Sequence, residues 1–396
     1  MIHKNRIQIT CISFLSYALM GALVTITGLI IHNLSNHFKI PISQASNIFN
    51  FLNIGILISI FLSSWSIEIF SLKNHFNFGF SLIILSNLIN IFSKNSIMFA
   101  YSIFIFGLVG GMTLSIGTFL ITYLYENQER TRKMLLTDSF FSISGILFPI
   151  IYTFILFYKI QWNYLYCIIS LIYIIIFILS QRVNFIQCTP SSNQNSTINI
   201  KKCFNIQTIL LYISALLYIL AQLSLISWIP EYTIQNIHIN IKESSHMISS
   251  FWANYMIGMW FFSYFLKFFN LKKIIIYLSG LSTIIIFLFL QNNHYLLLLF
   301  LLSLLGFISS SIYSMIITLA SMQTKKPSAK IINFTLVFGT IGTFLTFIIT
   351  SPIIQNYGIK SSLILSNTLY LIVFIIFIIF YNISKKKKYK NLLKIK

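Results

Sequence analysis

Charge is scarce in this sequence, and negative charge is scarcest. Only 8% of its 396 residues are Asp, Glu, Lys or Arg, against about 25% in a soluble domain. Six residues are acidic: Glu68, Glu126, Glu129, Asp138, Glu231 and Glu243. None falls near the middle of an apolar run. The four cysteines (Cys11, Cys167, Cys188, Cys203) have no metal-ligand or disulfide spacing, so inert or reduced thiols are expected, with no metal and no cofactor. The histidines (His3, His32, His37, His75, His238, His246, His294) lie in termini, loops or run ends. That excludes a span-embedded His/Asp or Ser/His arrangement, and no enzyme is expected. Alternating segments of about 10 residues are missing too, which argues against a β-barrel.

What is present is apolar. Hydrophobic residues make up 57% of the chain, in runs long enough to cross about 30 Å of hydrocarbon. Twelve spans are expected, at 9–31, 48–69, 77–93, 97–123, 136–157, 163–181, 207–229, 247–268, 273–290, 295–320, 331–353 and 361–383. The first follows Lys4 and Arg6 and is too long for a cleaved signal, so it is read as a retained helix. One long polar run, 181–206, interrupts the middle. The organisation expected is a six-helix bundle over 1–180, a cytoplasmic linker over 181–206, a second bundle over 207–384 and a basic cytoplasmic tail over 385–396.

The formal net charge of +21 does not point to nucleic acid, because the basic residues cluster at span ends and loops. With twelve spans, 22 of the 27 Lys and Arg fall on one side. Only Lys39, Lys94, Lys159, Lys242 and Lys360 fall on the other. Positive loops stay in the cytoplasm, which puts both termini and the linker there. Ile, Asn, Lys and Phe are abundant together, as AT-rich codon usage produces, and that accounts for part of the lysine excess. The tail from Ser384 is read as a topology anchor, with anionic lipid as its alternative partner.

The halves repeat at an offset near 200. Ser13–Leu19 aligns with Ser214–Leu220, Ser46–Gly55 with Ser249–Gly258, and Gly107–Ser115 with Gly306–Ser314. A six-span unit used twice in parallel orientation is a frequent transporter arrangement. Polar residues mark the first and fourth spans of each unit at helical spacing. They are Ser13, Tyr17, Gly21 and Gly28; Gly107, Gly111, Ser115, Thr118 and Thr122; Ser214, Tyr218 and Gln222; and Ser303, Gly306, Ser310 and Ser314, with Tyr313 and Thr318 beside them. Spans 3, 6, 9 and 12 read as plainer. Close helix packing is the expected use of the glycines. A wet cavity is at least as good a reading for Tyr17, Tyr218, Gln222, Asn254 and Tyr313, whose polar tips need partners.

Two six-helix units, a central linker and polar first and fourth helices resemble the major facilitator superfamily. The segments NRIQITCISFLSYALMGALVTITG, FNFLNIGILISIFL, SIGTFLITYLYE, LLTDSFFSISGILFP, ISWIPEY, NYMIGMW and NFTLVFGTIGTFLTF resemble the TsgA proteins of enteric bacteria, which are similar to the fucose-type sugar:proton symporter branch. The resemblance implies an all-α membrane protein of 12 transmembrane helices in two six-helix bundles related by pseudo-two-fold symmetry. It implies a bacterial inner-membrane location and alternating access. The loop after span 2, WSIEIFSLKNHF, lacks the superfamily's GxxxDRxGRR signature and keeps Glu68 and Lys73 of its charge. Spans 1 and 4 have none of the acidic residues that serve substrate and proton in the sugar porters, and Phe141 stands where those porters place a polar side chain.

The expected function is a secondary transporter of a small, neutral or weakly charged solute, in contact with membrane lipids and not with nucleic acid. Its cavity would be lined by spans 1, 4, 7 and 10. Tyr17, Ser115, Tyr218, Gln222 and Tyr313 are the candidate substrate-binding residues. Glu68 and Asp138 are the candidate coupling residues if protons are carried. The alternative for those two is an ion pair with Lys73, Arg130 or Arg132. The alternative for the whole chain is a non-transporting sensor or scaffold, insensitive to a cavity-filling change such as Gly21→Trp.

Overall fold

A computed structural model describes residues 2–40, 42–158, 160–185, 205–238, 241–324 and 328–393. Most of the expected linker, with Cys188 and Cys203, lies outside them. Among the described residues there are helices and no strand. The N-terminal half contains α1 (Ile2–Leu29), α2 (Ile31–Phe38), α3 (Ile42–Ile69), α4 (Leu72–Ile91), α5 (Ser96–Leu124), α6 (Asn127–Phe157) and α7 (Tyr164–Arg182). The C-terminal half contains α8 (Ile206–Ile237), α9 (Ile241–Phe265), α10 (Leu271–Leu290), α11 (Tyr295–Ser309), α12 (Ile312–Ser321), α13 (Ala329–Tyr357) and α14 (Ile359–Leu393).

Each expected span falls mainly on one of these helices; the first overruns α1 into the start of α2, the eighth ends in a 3-10 turn over Leu266–Phe268, and the tenth is divided into α11 and α12. By length and composition ten of the spans are apolar enough to cross a membrane; α4 and α9, richer in Asn, Ser and His, complete the twelve. Several helices outrun their apolar cores. The seventh span outruns its expected end at 229: α8 continues past Pro230 to Ile237, and Glu231 is a helical residue. The last helix runs on into the basic tail as far as Leu393.

The chain forms two compact units. Unit 1 gathers Met1–Glu126, Leu136–Asn195 and Lys326–Val337; unit 2 gathers Asn127–Leu135, Ser196–Lys325 and Phe338–Lys396. The first turns of α6 therefore cluster with the C-terminal helices, and those of α13 with the N-terminal helices. These are equivalent segments of the two repeats.

The repeat is visible in the helix starts. Ile42 and Ile241, Leu72 and Leu271, and Ser96 and Tyr295 are each 199 residues apart. It is also visible in the packing. In unit 1 a Cβ on Gly55 would run into the carbonyl of Phe104, and one on Gly107 into that of Leu52. In unit 2 a Cβ on Gly258 would run into the carbonyl of Phe307, and one on Gly306 into that of Phe251. So α3 meets α5, and α9 meets α11, at backbone-to-backbone distance through equivalent glycines, as small residues allow in membranes.

Gly21 has the same use. A Cβ there would collide with the Phe141 backbone of α6. Gly21→Trp would therefore wedge α1 from α6 rather than fill a cavity, and it does not separate a carrier from a scaffold. Beside that contact Phe14 stacks on Phe140 at 4.5 Å.

The α3–α4 corner, where the superfamily signature is missing, is closed by uncharged groups. Ser71 caps α4 by accepting from the Asn74 amide at 3.3 Å. The buried His75 ring bridges the Ser71 carbonyl and the Ser66 hydroxyl, each at 3.0 Å.

Candidate solute site

In unit 1, polar contacts join α1 to α5 and to Tyr125 just after it, and one of them, Tyr17 with Thr118, links two residues that the spacing picks out. Near one end the Arg6 guanidinium lies 4.3 Å from the Tyr125 ring centroid. The Tyr125 hydroxyl shares a 2.8 Å hydrogen bond with Thr10. Further along, Gly117 lets Ser16 approach, and the buried Tyr17 hydroxyl bonds to Thr118 Oγ1 at 2.8 Å. Thr118 also reaches the Leu114 carbonyl at 2.8 Å. Ser115, on the same helix, is fully buried, and its hydroxyl has no hydrogen-bond partner among the described residues.

In unit 2, Tyr218 of α8 is fully buried, and its hydroxyl donates to the main-chain carbonyl of Ser309 at 2.7 Å. Ser309 is the last residue of α11, and the helix resumes only at Ile312. The Tyr218 ring lies nearly parallel to Tyr313 at 6.4 Å and edge-on to Tyr370 at 5.7 Å. Tyr313, half-buried on α12, fills the space that Gly339 of α13 leaves open. One turn from Tyr218, Gln222 is 4% exposed. Its amide nitrogen has no hydrogen-bond partner among the described residues, and neither does Ser311 Oγ.

Tyr17 and Ser115 thus share unit 1, while Tyr218, Gln222 and Tyr313 share unit 2. Of the other aligned polar positions, Asn254 is half-buried on α9 and donates to the Ser250 carbonyl at 2.9 Å.

The sequence reading missed Tyr370. The last span reads as plain, yet Ser362, Ser366 and Tyr370 form a buried row at steps of four. Ser366 donates to the Ala221 carbonyl of α8 at 2.7 Å. The same spacing test used on the first and fourth spans would have found that row. The third span is not plain either. Ser86 and Ser102 exchange hydroxyl-to-carbonyl bonds at 2.8 and 3.0 Å, and Asn87 donates to Ser170 at 2.6 Å. In the sixth span Tyr173 donates to the Phe76 carbonyl at 3.1 Å. Interhelical bonds hide these side chains inside an apolar bundle.

Of the two coupling candidates, Glu68 makes an ion pair with Lys330 at 2.8 Å, inside unit 1. The basic residues named from sequence were others. Lys73 donates instead to the Gln181 carbonyl at 3.3 Å, and the buried Arg130 donates to Ser321 Oγ at 3.1 Å in unit 2. Asp138 is half-buried on α6.

The profile of the Major Facilitator Superfamily matches residues 13–237 and again 211–396. A TsgA homolog of Buchnera aphidicola from Schizaphis graminum is 51% identical over 97% of this chain and 98% of its own. Another, from Yersinia pseudotuberculosis, is 44% identical over 94% of this chain and 95% of its own. The chain belongs to the TsgA family of the major facilitator superfamily. Among solved structures, the Escherichia coli fucose:proton symporter superposes with a TM-score of 0.76 over 94% of this chain and 97% of its own, at 14% identity. The proton:xylose symporter XylE gives 0.73 over 94% and 95%, at 12% identity. At such identity the likeness is one of fold. Twelve membrane-spanning helices in two six-span repeats are what the superfamily and this chain share.

Proposed function

We propose that this TsgA-family chain moves a small, neutral or weakly charged solute across the bacterial inner membrane by alternating access. Its termini and linker face the cytoplasm. Spans 1, 4, 7 and 10 line the passage, and Tyr17, Ser115, Tyr218, Gln222 and Tyr313 contact the solute. One observation carries the reading: Gln222 is nine-tenths buried, yet its side-chain amide nitrogen has no hydrogen-bond partner among the described residues. Leaving such a donor unmade costs about 1–3 kcal/mol, a cost that a hydroxyl or carbonyl of a passing solute relieves. Ser115 Oγ offers the same incentive from the first repeat. Glu231, six residues before the end of α8, is the one carboxylate on these four helices, so the site suits hydroxyls and amides better than strong charges. Protons are the candidate coupling ion, and Glu68 and Asp138 the candidate carriers.

A solute screen on reconstituted vesicles, with and without an imposed pH gradient, tests this reading. Gln222→Ala is expected to lower uptake of the responding solute about tenfold or more, the loss of a buried charge-free hydrogen bond or two. Unchanged uptake in both Tyr218→Phe and Gln222→Ala would remove these residues from the site. Flux indifferent to the gradient would remove Glu68 and Asp138 as proton carriers.

A further inference from the structure

Unit 2 carries a groove at the turn between α9 and α10. Phe268, Phe269, Leu271 and Lys272 form one wall; Leu319 and Met322, where α12 ends, form the other. The groove is shallow and open, with a volume of about 390 Å³. Its turn is rigidly built: Asn270 accepts from the Lys272 amide at 3.0 Å, and its carbonyl accepts from Lys273 and Ile274 at 3.0 and 3.1 Å. Two large rings stand in the open there, Phe268 at 65% and Phe269 at 48% exposure. The Lys272 ammonium sits 5.8 Å from the Phe380 ring centroid. That is a cation–π contact, and it fixes the charge of the half-buried Lys272 at this end of the groove.

The surroundings are predominantly basic. Unit 2 holds three acidic residues, Glu129, Glu231 and Glu243, and Glu129 shares its segment with Arg130, Arg132 and Lys133. Glu243 is in the first turn of α9, and the groove follows the last turn of that helix. The 25 residues of α9 put about 37 Å between them. At the groove's own end are Lys272 and the exposed Lys273, and Lys385 lies farther along the helix that carries Phe380. An apolar floor with a cationic rim at the basic end of a membrane bundle is complementary to an amphiphilic anion.

We propose that this groove is a discrete site for one anionic glycerophospholipid, its phosphate at Lys272 and its acyl chain along Phe268, Leu271, Leu319 and Met322. The site is separate from the solute passage and does not depend on it. Native mass spectrometry of the full chain, stripped of lipid in detergent, tests it with phosphatidylglycerol and phosphatidylcholine of matched acyl chains. One phosphatidylglycerol is expected to bind, preferred about fivefold over phosphatidylcholine, the factor one lysine contributes near an anionic surface. Lys272→Ala abolishes the preference, Lys272→Arg keeps it, and Met322→Trp lowers occupancy with every lysine in place. Lys385→Ala leaves it unchanged. Equal binding of the two lipids overturns the proposal. So does loss of the preference in Lys385→Ala to the same degree as in Lys272→Ala, which would mean diffuse attraction to the basic end. Displacement by millimolar inorganic phosphate would mark a free-anion site and overturn it as well. If Lys272→Ala fails to elute as a single species, the Lys272→Arg and Met322→Trp pair decides.

Discussion

The fourth and tenth spans are equivalent helices with opposite behaviour. Gly110, Gly111 and Met112 in α5 correspond to Ser309, Ser310 and Ser311 in the tenth span. Two adjacent glycines cost a helix about 1 kcal/mol each relative to alanine, and serine costs less, so the weak point belongs in α5. Yet α5 is unbroken over 29 residues, and the serine run separates α11 from α12.

What surrounds each helix explains the inversion. Gly110 receives the tips of Leu23 and Met20 from α1, and Gly111 receives Ser59 and Ile56 from α3. The glycines are where α5 is held from two sides, and that packing outweighs their propensity. In unit 2 the backbone is offered other partners. Tyr218 takes the Ser309 carbonyl, and Ser310 Oγ turns back to the Phe307 carbonyl at 2.8 Å. Side-chain bonds of this kind compete with the helical ladder. Tyr17, the counterpart of Tyr218, bonds to a threonine side chain instead and leaves the α5 backbone alone.

The strongest way to break this comparison is at the glycines both halves share. Gly107→Leu and Gly306→Leu each drive a side chain into a facing carbonyl, of Leu52 and of Phe251 respectively. Both are expected to lose about 3 kcal/mol or more, seen as a collapsed thermal midpoint or an aggregated elution profile in detergent. A tolerant Gly306→Leu would mean that the two contacts are not equivalent.

A sharper contrast comes from putting alanine at one equivalent pair. Gly111→Ala places a Cβ 2.6 Å from the Ile56 carbonyl of α3 and should cost about 1–3 kcal/mol although alanine is the better helix former. Ser310→Ala only removes the bond back to Phe307, and should change stability by about 0.5 kcal/mol or less. It should also slow amide hydrogen exchange at Ile312–Ser314. Thermal melts of the two variants in parallel check the sign, and stabilisation by Gly111→Ala would contradict the packing account.

The smallest difference is between the tyrosines. Tyr218→Phe strands the Ser309 carbonyl and should cost about 1–2 kcal/mol. Tyr17→Phe leaves Thr118 its bond to Leu114 and should cost nearer 0.6 kcal/mol, the mean for interhelical hydrogen bonds in a membrane protein. Equal shifts in midpoint would show that the backbone acceptor gives Tyr218 no special weight.

Much of this was readable in the residues. Runs of apolar side chains place the helices because any span must satisfy its own backbone in lipid. The glycine pairs announced tight packing at two of the aligned segments, Gly55 with Gly258 and Gly107 with Gly306. The partners were not readable. Glu68 had three candidate cations and takes a fourth, Lys330, which lies far along the chain and in the other repeat. Tyr370 is legible only through the steps of four that link it to Ser362 and Ser366 on an otherwise apolar span; that it meets Tyr218 is not legible there.

The sequence by itself determined twelve helices, their duplication at an offset near 200, and a polar stripe on the first and fourth of each set. These follow from hydropathy and helical period, which are local properties. Tertiary structure alone decided where the tenth span breaks, which hydroxyls are satisfied and which stay unpartnered, and which lysine meets Glu68. Those outcomes depend on the distance between groups remote in the chain, and hydrogen bonds and ion pairs are decided within about 3 Å.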